Sequence, residues 1–400
     1  MRKYIITGVF IAMLAVSVFL MLSPADTESI LAENREVKAM PVFSSESVIK
    51  GEYTAGIDAY IDDNIGFRSK LMAFSDKIKS LFGYVPEDGG RIITTTTDLG
   101  TGESQEGRLV VYNGKIMEMF GKKPEIEKKY ADTLNGLRAL LPENVTMYSM
   151  LVPTALEFCE PKYAAAQDSQ KAEIDNVYSM LNSNIIPVDI YGKIKECTER
   201  EPNSYLYFNT DHHWTMDGAY CGYEAFMEAQ GAEILPKTMF PRKSNGDFHG
   251  SLYLKAKSEL KRDTNDTVFY YDTAAVNDFS IVMRAEDGVT VYGEGAPVFN
   301  LDKKDYLIFF GGDQPLMEIT NNTKPDGKTL VIIKDSYANA MLPWVINNYK
   351  KVVVIDPRSF GGNLLDEIER YNADEFAVIN YVFTTTFADY CDMIAGLGAK

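Results

Sequence analysis

Three side chains of the kind that move protons stand together in YFNTDHHWTMDGAY, residues 207–220: Asp211, His212 and His213, with Trp214 directly after them. The chain has only 3 histidines and 2 tryptophans, so this stretch holds an outsized share of both. If the segment is extended, residues two apart point the same way and the one between them points the other way. Asp211 then accepts from His213 Nδ1–H, fixes the tautomer and leaves Nε2 free to take a proton, while His212 faces away. A base so oriented needs a nucleophile. Ser336, in VIIKDSYANA, stands where an apolar run gives way to a helix-like stretch, a turn that can raise a hydroxyl above a sheet. The free N–H groups of the following turn, at the positive end of its dipole, can hold an oxyanion. Along the chain the order is Asp211, His213, Ser336, and triads are defined by geometry rather than order.

Other readings of the same residues stay open. Asp335 or Ser336 could simply cap the following helix. Asp211, His212 or His213, with His249 of GDFHG, could hold a metal, although adjacent histidine side chains diverge. In the plainest reading His213 and Trp214 are core residues, Asp211 caps the helix that starts near 215, and Trp214 packs instead of serving as a sugar platform. The triad reading is preferred, and it calls for no metal and no cofactor.

The elements that must position these residues follow from periodicity. Apolar positions at helical spacing, Ile57, Tyr60 and Ile61, then Leu71, Phe74, Ile78, Leu81 and Phe82, predict two helices broken near DDNIGF. Asn113-Gly114 between apolar runs predicts a hairpin turn. From residue 125 the pattern alternates. Helices are expected over EIEKKYADTLNGLRALLP, SQKAEIDNVYSMLNS, GAYCGYEAFMEAQG, YANAMLPWVINNYK and NLLDEIERYNA. Strands are expected over NVTMYSMLVP, IIPVDIY, TLVII, KVVVID and EFAVINYV. Such alternation implies an α/β fold, a mainly parallel sheet with helices on both faces, whose site lies at the carboxyl ends of the strands. Residues 238–310, with short apolar segments and few helix signals, read as a β-rich insertion. The expected organisation is an anchor over 1–22, a stalk over 23–45, a helical and hairpin segment over 46–124, and the α/β domain over 125–400.

Composition narrows the class. With 46% hydrophobic and 12% aromatic residues, 400 residues can build a large core. A net charge of −17 argues against nucleic acid, since phosphate binding needs a basic face, and against docking on anionic lipid by charge. Arg2 and Lys3 precede the uncharged run Tyr4–Leu22, which at about 1.5 Å per residue crosses a bilayer core of ~30 Å. Positive charge on its amino side places the remainder outside the cytoplasm, whether the run is a retained single-pass anchor or a cleaved signal. Cys159, Cys197, Cys221 and Cys391 form no C-x-x-C pair, so zinc and redox motifs are not expected. One or two disulfides are permitted outside the cytoplasm, and buried free thiols are the plain alternative.

TDHHWT, IKDSYANAMLPW, ENREVKAMP and YIDDNIGFRSKL together resemble the bacterial DHHW proteins and, more distantly, the SGNH-like domains of periplasmic alginate O-acetyltransferases. The resemblance covers nearly everything beyond the anchor. It implies a flavodoxin-like SGNH fold with Asp211 and His213 as orienter and base, Ser336 as nucleophile, and His212 dispensable. Trp214 and Tyr337 are the substrate-binding candidates. FFGGDQP offers Gly312 as an oxyanion donor but places Asp313 where an SGNH site wants asparagine, a departure from the pattern. The implied activity is acyl transfer through an acyl-serine to a polysaccharide at or beyond the cell surface. The implied partner is a multi-spanning membrane acyltransferase. A carbohydrate esterase and a non-catalytic cell-envelope binding or assembly protein are the alternatives.

Overall fold

The computed structural model describes residues 19, 23, 39–49, 52–64, 90–98, 104–202, 204–260 and 264–398. The expected anchor (apart from Phe19), most of the stalk and the second expected helix, Leu71 to Phe82, lie outside the described residues. Among the described residues no helix is long and apolar enough to cross a membrane. The chain divides into two compact units: residues 1–114 with 251–263, and residues 115–250 with 264–400.

In the first unit, helix α1 (Glu52–Asn64) half-buries Ile57, Tyr60 and Ile61, as their spacing predicts. Strands β1 (Arg91–Asp98) and β2 (Ser104–Tyr112) pair antiparallel, with Arg91 opposite Val111 and Asp98 opposite Ser104. Beyond β2, Asn113 and Gly114 both take positive φ, 49° and 78°, as a two-residue primed turn requires.

The second unit begins with β3 (Lys115–Glu118) and is built on one eight-stranded sheet. Five of its strands run parallel side by side: β5 (Ile185–Pro187), β4 (Thr146–Val152), β13 (Glu375–Tyr381), β11 (Thr329–Lys334) and β12 (Lys351–Ile355). The sheet continues antiparallel through β10 (Leu316–Asn321), β8 (Phe279–Arg284) and β9 (Val291–Glu294). The mainly parallel sheet is therefore a mixed one. The β-rich stretch 238–310 is also not a separate module. Its β6 (Arg242–Phe248) and β7 (Asp266–Tyr271) form a two-stranded ribbon, while β8 and β9 extend the main sheet.

Helices cover both faces because the central strands are apolar on both sides. Along β11, Leu330 and Ile332 enter one core while Val331 and Ile333 enter the other, the period-2 alternation of a strand buried on two faces. Helices α2 (Pro124–Leu140), α6 (Leu364–Tyr371) and α7 (Ala388–Gly396) pack on the second face, and α4 (Ile190–Arg200) and α5 (Met216–Gln230) on the first. Helix α3 (Gln170–Met180) lies where its periodicity placed it. The apolar run IIPVDIY predicts a strand through 185–191. Instead β5 stops at Pro187 and Asp189 caps α4 by accepting from Gly192 N–H at 2.8 Å. A disulfide joins Cys197 of α4 to Cys221 of α5, so free thiols remain only at Cys159 and Cys391. This bond ties α4 to the helix that starts directly behind the histidine motif.

Candidate active site

The histidine motif is a tight reversal and not a strand. Tyr207 pairs with Trp214 in an isolated antiparallel bridge, and Thr215 N–H donates to the Leu206 carbonyl at 2.9 Å. Inside the reversal Asp211 Oδ1 accepts from the His213 backbone N–H at 3.0 Å, the local bond to the residue two positions on that aspartate makes readily in turns. The same oxygen lies 2.6 Å from His213 Nδ1. Turn geometry thus performs what alternation along a strand was expected to do. The fully buried Asp266 of β7 holds the loop from behind, accepting from the backbone N–H of Asn209 at 2.6 Å and of Thr210 at 2.7 Å. The Tyr207 hydroxyl donates to the Pro153 carbonyl at 2.8 Å, just past the end of β4, which fixes the loop over the carboxyl edge of the sheet.

Ser336 reaches the same edge from β11. Asp335 caps the 3₁₀ turn Ser336–Ala340 by accepting from Tyr337 N–H at 2.9 Å, and its second oxygen accepts from Tyr381 N–H at 2.8 Å. Because Asp335 does the capping, the Ser336 hydroxyl is left over. It lies 2.7 Å from His213 Nε2. Asp211, His213 and Ser336 therefore form one hydrogen-bonded chain, with the aspartate and histidine buried and the serine half-buried. Such a chain can move the serine proton to the imidazole while the carboxylate steadies the cation that forms.

His212 departs from expectation. Its ring does not face away; it lies against His213 with centroids 3.8 Å apart, because a turn does not alternate its side chains as a strand does. The ligand atoms of Asp211, His212 and His213 fall within 4.8 Å of one another, a spacing a metal could use. Both ring nitrogens of His213 are, however, already engaged with Asp211 and Ser336. His249 does not join the group.

Trp214 and Tyr337 are corrected as substrate contacts. Both are fully buried, with Trp214 Nε1–H donating to the Tyr337 carbonyl at 2.7 Å and the Tyr337 hydroxyl donating to the His212 carbonyl. They lock the motif to the serine turn and offer no face to a sugar. Gly312 is corrected too, since its N–H donates to the Phe309 carbonyl at 3.0 Å and is committed to that turn.

Asp313 sits at the carboxyl edge because β10 runs antiparallel to β12 and so begins there. Its carboxylate accepts from Lys334 and, at 2.6 Å, from Arg358, both of which also bind the buried Asp356. Burial alone would raise the Asp313 carboxyl. The neighbouring Lys334 and Arg358 outweigh it and hold the group well below the usual carboxylate range. The remaining Asp313 bond is from Asn339 Nδ2, at 2.8 Å. In a 3₁₀ turn residues three apart eclipse, so Asn339 shares the face of Ser336, and Asp313 fixes which way its amide points. The SGNH pattern expects an asparagine at 313, and the structure places one in the serine turn at 339 instead. The signal was present as the i, i+3 spacing within DSYAN.

Two consequences follow from the packing. A Cβ on Gly250 would stand 2.4 Å from the backbone N and from the Cβ of Asp211. Backbone cannot yield cheaply, so Gly250→Ala is expected to cost about 1–3 kcal/mol of stability. It should also displace Asp211 enough to cut any Ser336-dependent turnover by about 10²-fold. Urea denaturation and ester turnover measure the two, and wild-type values in both would contradict the packing described. The second concerns Asp335, whose carboxyl burial raises from 3.8 to about 6 against the opposing N–H groups of Tyr381 and Tyr337. A carboxyl raised in the folded state holds its proton better there than in the unfolded chain. Its contribution is therefore fully favourable below about pH 4 and is lost as pH rises through about 6. Asp335→Asn cannot titrate. Relative to the parent its unfolding free energy should gain on the order of 3 kcal/mol between about pH 4 and pH 7. A difference between the two proteins that does not change with pH would contradict the assignment.

The fold can be set beside solved ones. A DHHW family protein from Eubacterium siraeum superposes with a TM-score of 0.64 at 24% identity, covering 77% of this chain and 100% of that one. PatB1 of Bacillus cereus, in a form with a sulfonyl adduct, gives 0.59 at 22% identity over 72% of this chain and 97% of its own. No curated protein matches the chain. The family model described as DHHW protein matches residues 85–355, a span that contains the histidine reversal, the serine turn and the strands that bring them together, and on that match the chain belongs to the DHHW family.

Proposed function

We propose that this protein is an SGNH-like acyltransferase that works outside the cytoplasm, moving an acetyl or similar acyl group through an acyl-serine to a hydroxyl of a surface or exported polysaccharide. The observation that carries the reading is the continuous chain from Asp211 through His213 to Ser336, with heavy-atom distances of 2.6 and 2.7 Å. His213 Nε2 takes the Ser336 proton as Oγ attacks the acyl carbonyl. The tetrahedral intermediate then collapses, the bond to the donor's leaving oxygen breaks, and the imidazolium returns its proton to that oxygen. In the second half the acceptor hydroxyl gives its proton to His213 and attacks the acyl-serine, the bond from the acyl carbon to Ser336 Oγ breaks, and the imidazolium returns the proton to Oγ. Asn339, on the serine face and oriented by Asp313, is the side-chain donor proposed for the oxyanion, since the Gly312 N–H is taken up by the Phe309 carbonyl. Tyr4–Leu22 would hold the protein at the membrane beside a multi-spanning partner that delivers the acyl group.

The test separates transfer from hydrolysis. The full-length chain is incubated with p-nitrophenyl acetate and a soluble oligosaccharide, and the sugar is analysed by mass spectrometry. Ser336-dependent acetylation of the sugar is the expected result. Acetate released with no acetylated sugar, across a panel of acceptors, would make the protein an esterase.

A further inference from the structure

Tyr306 touches both ends of the proton path, and nothing in its sequence context marks it. It opens a short 3₁₀ turn, Tyr306–Ile308, capped by Asp305, which accepts from Leu307 N–H at 2.9 Å. Its ring lies flat on the His213 imidazole, with centroids 3.7 Å apart and planes inclined by 5°. Its hydroxyl proton is shared between the carbonyls of Ser336 and Tyr337, at 2.9 and 3.0 Å, and its oxygen accepts from Ala340 N–H at 3.2 Å. One side chain thus rests on the base and grips the serine turn at its first and last residues. Burial pushes the phenol well up from its ordinary value, so the hydroxyl remains a donor throughout the useful pH range.

The geometry supplies something that the Asp211 bond cannot. A hydrogen bond to Nδ1 fixes one point of the imidazole and leaves the ring free to swing about that contact, carrying Nε2 out of line with Ser336. A parallel ring at stacking distance blocks that swing on one face. The negative face of a tyrosine also favours the imidazolium over the neutral ring, which helps once the proton has moved. The hydroxyl fixes the other partner, because Ser336 can rise or sink only if its turn shifts against three hydrogen bonds to a single oxygen.

We infer that Tyr306 is the positioning residue of this site, setting the His213 ring and the Ser336 turn in register so that proton transfer runs along one line. The inference rests on the catalytic reading proposed above. It is tested with the full-length chain, p-nitrophenyl acetate turnover resolved into kcat and KM, and thermal unfolding of each variant. Tyr306→Phe keeps the ring and removes the grip on the turn; about tenfold loss in kcat is expected, with KM within about twofold of wild type. Tyr306→Leu removes both and is expected to lose about 10²-fold in kcat, again with little change in KM. Phe299→Leu, a buried aromatic truncation outside the proton path, is the control for general loosening and should lower thermal stability without a comparable fall in kcat.

Wild-type kcat in either folded Tyr306 variant would overturn the inference, as would a loss confined to KM. If Tyr306→Leu does not fold, the Tyr306→Phe result decides. A wild-type protein that neither turns over the ester nor reacts at Ser336 removes the catalytic reading and this inference with it. An active wild type with indifferent Tyr306 variants removes only the inference.

Discussion

Ser336→Ala and His213→Ala should each lower acyl-transfer or ester turnover by about 10⁴-fold or more, and the double variant should be scarcely worse than either alone. The non-additivity is the informative part. Once the nucleophile is gone the base has no proton to take, so a second deletion removes nothing further. Asp211→Asn is expected to fall by about 10⁴-fold while keeping the loop folded, because an amide can still accept from the His213 backbone but no longer stabilises the imidazolium. His212→Ala should stay within about tenfold of wild type. Its ring rests against His213, while the path from Asp211 to Ser336 runs through the two ring nitrogens of His213. Steady-state kinetics on the four single variants and the double variant checks the whole set. Roughly additive losses in the double variant would mean that serine and histidine act independently.

Trp214→Ala should cost about 3–5 kcal/mol of stability, enough to lower the melting temperature by about 10 °C. The indole is fully buried, and its N–H satisfies the Tyr337 carbonyl at 2.7 Å. The following helix is cut to fit it. A Cβ on Gly222 would come within 2.6 Å of the indole ring, and one on Gly218 within 3.0 Å of the Trp214 Cβ and 2.1 Å of the Leu206 carbonyl oxygen. Truncation therefore leaves a cavity and removes one of the two donors to the Tyr337 carbonyl, which keeps only the Tyr306 hydroxyl at 3.0 Å. Trp214→Phe should recover part of the packing and none of the hydrogen bond. Differential scanning calorimetry distinguishes this from a sugar platform, which would lose acceptor affinity at unchanged stability.

The three residues of the hydrogen-bonded chain were legible from type and spacing, yet the reason for their approach was not. Alternation along a strand predicted the pairing of Asp211 with His213 and also predicted that His212 would face away. A turn delivers the first and reverses the second. The parallel strands declared themselves because each is apolar on both faces. The antiparallel extension did not: β8 is only alternately buried, as an isolated ribbon would be, and nothing in its residues names β10 as its neighbour. Helix α4 was hidden because IIPVDIY is β-prone, and the Asp189 cap outweighs that preference. Aromatic residues beside a reactive motif cannot be sorted by sequence into platform and core, and Trp214 and Tyr337 are core. The Lys334–Asp313–Arg358 cluster joins residues 21 and 45 positions apart, contacts created by the strand order alone.

The central claim is that Ser336 is a nucleophile activated by His213. Its most direct test is labelling of the folded full-length chain with a fluorophosphonate, followed by peptide mapping. The expected result is a label on Ser336 that is lost in His213→Ala and kept in His212→Ala. A folded wild-type protein that takes no label, or a label on Ser336 indifferent to His213, would contradict it.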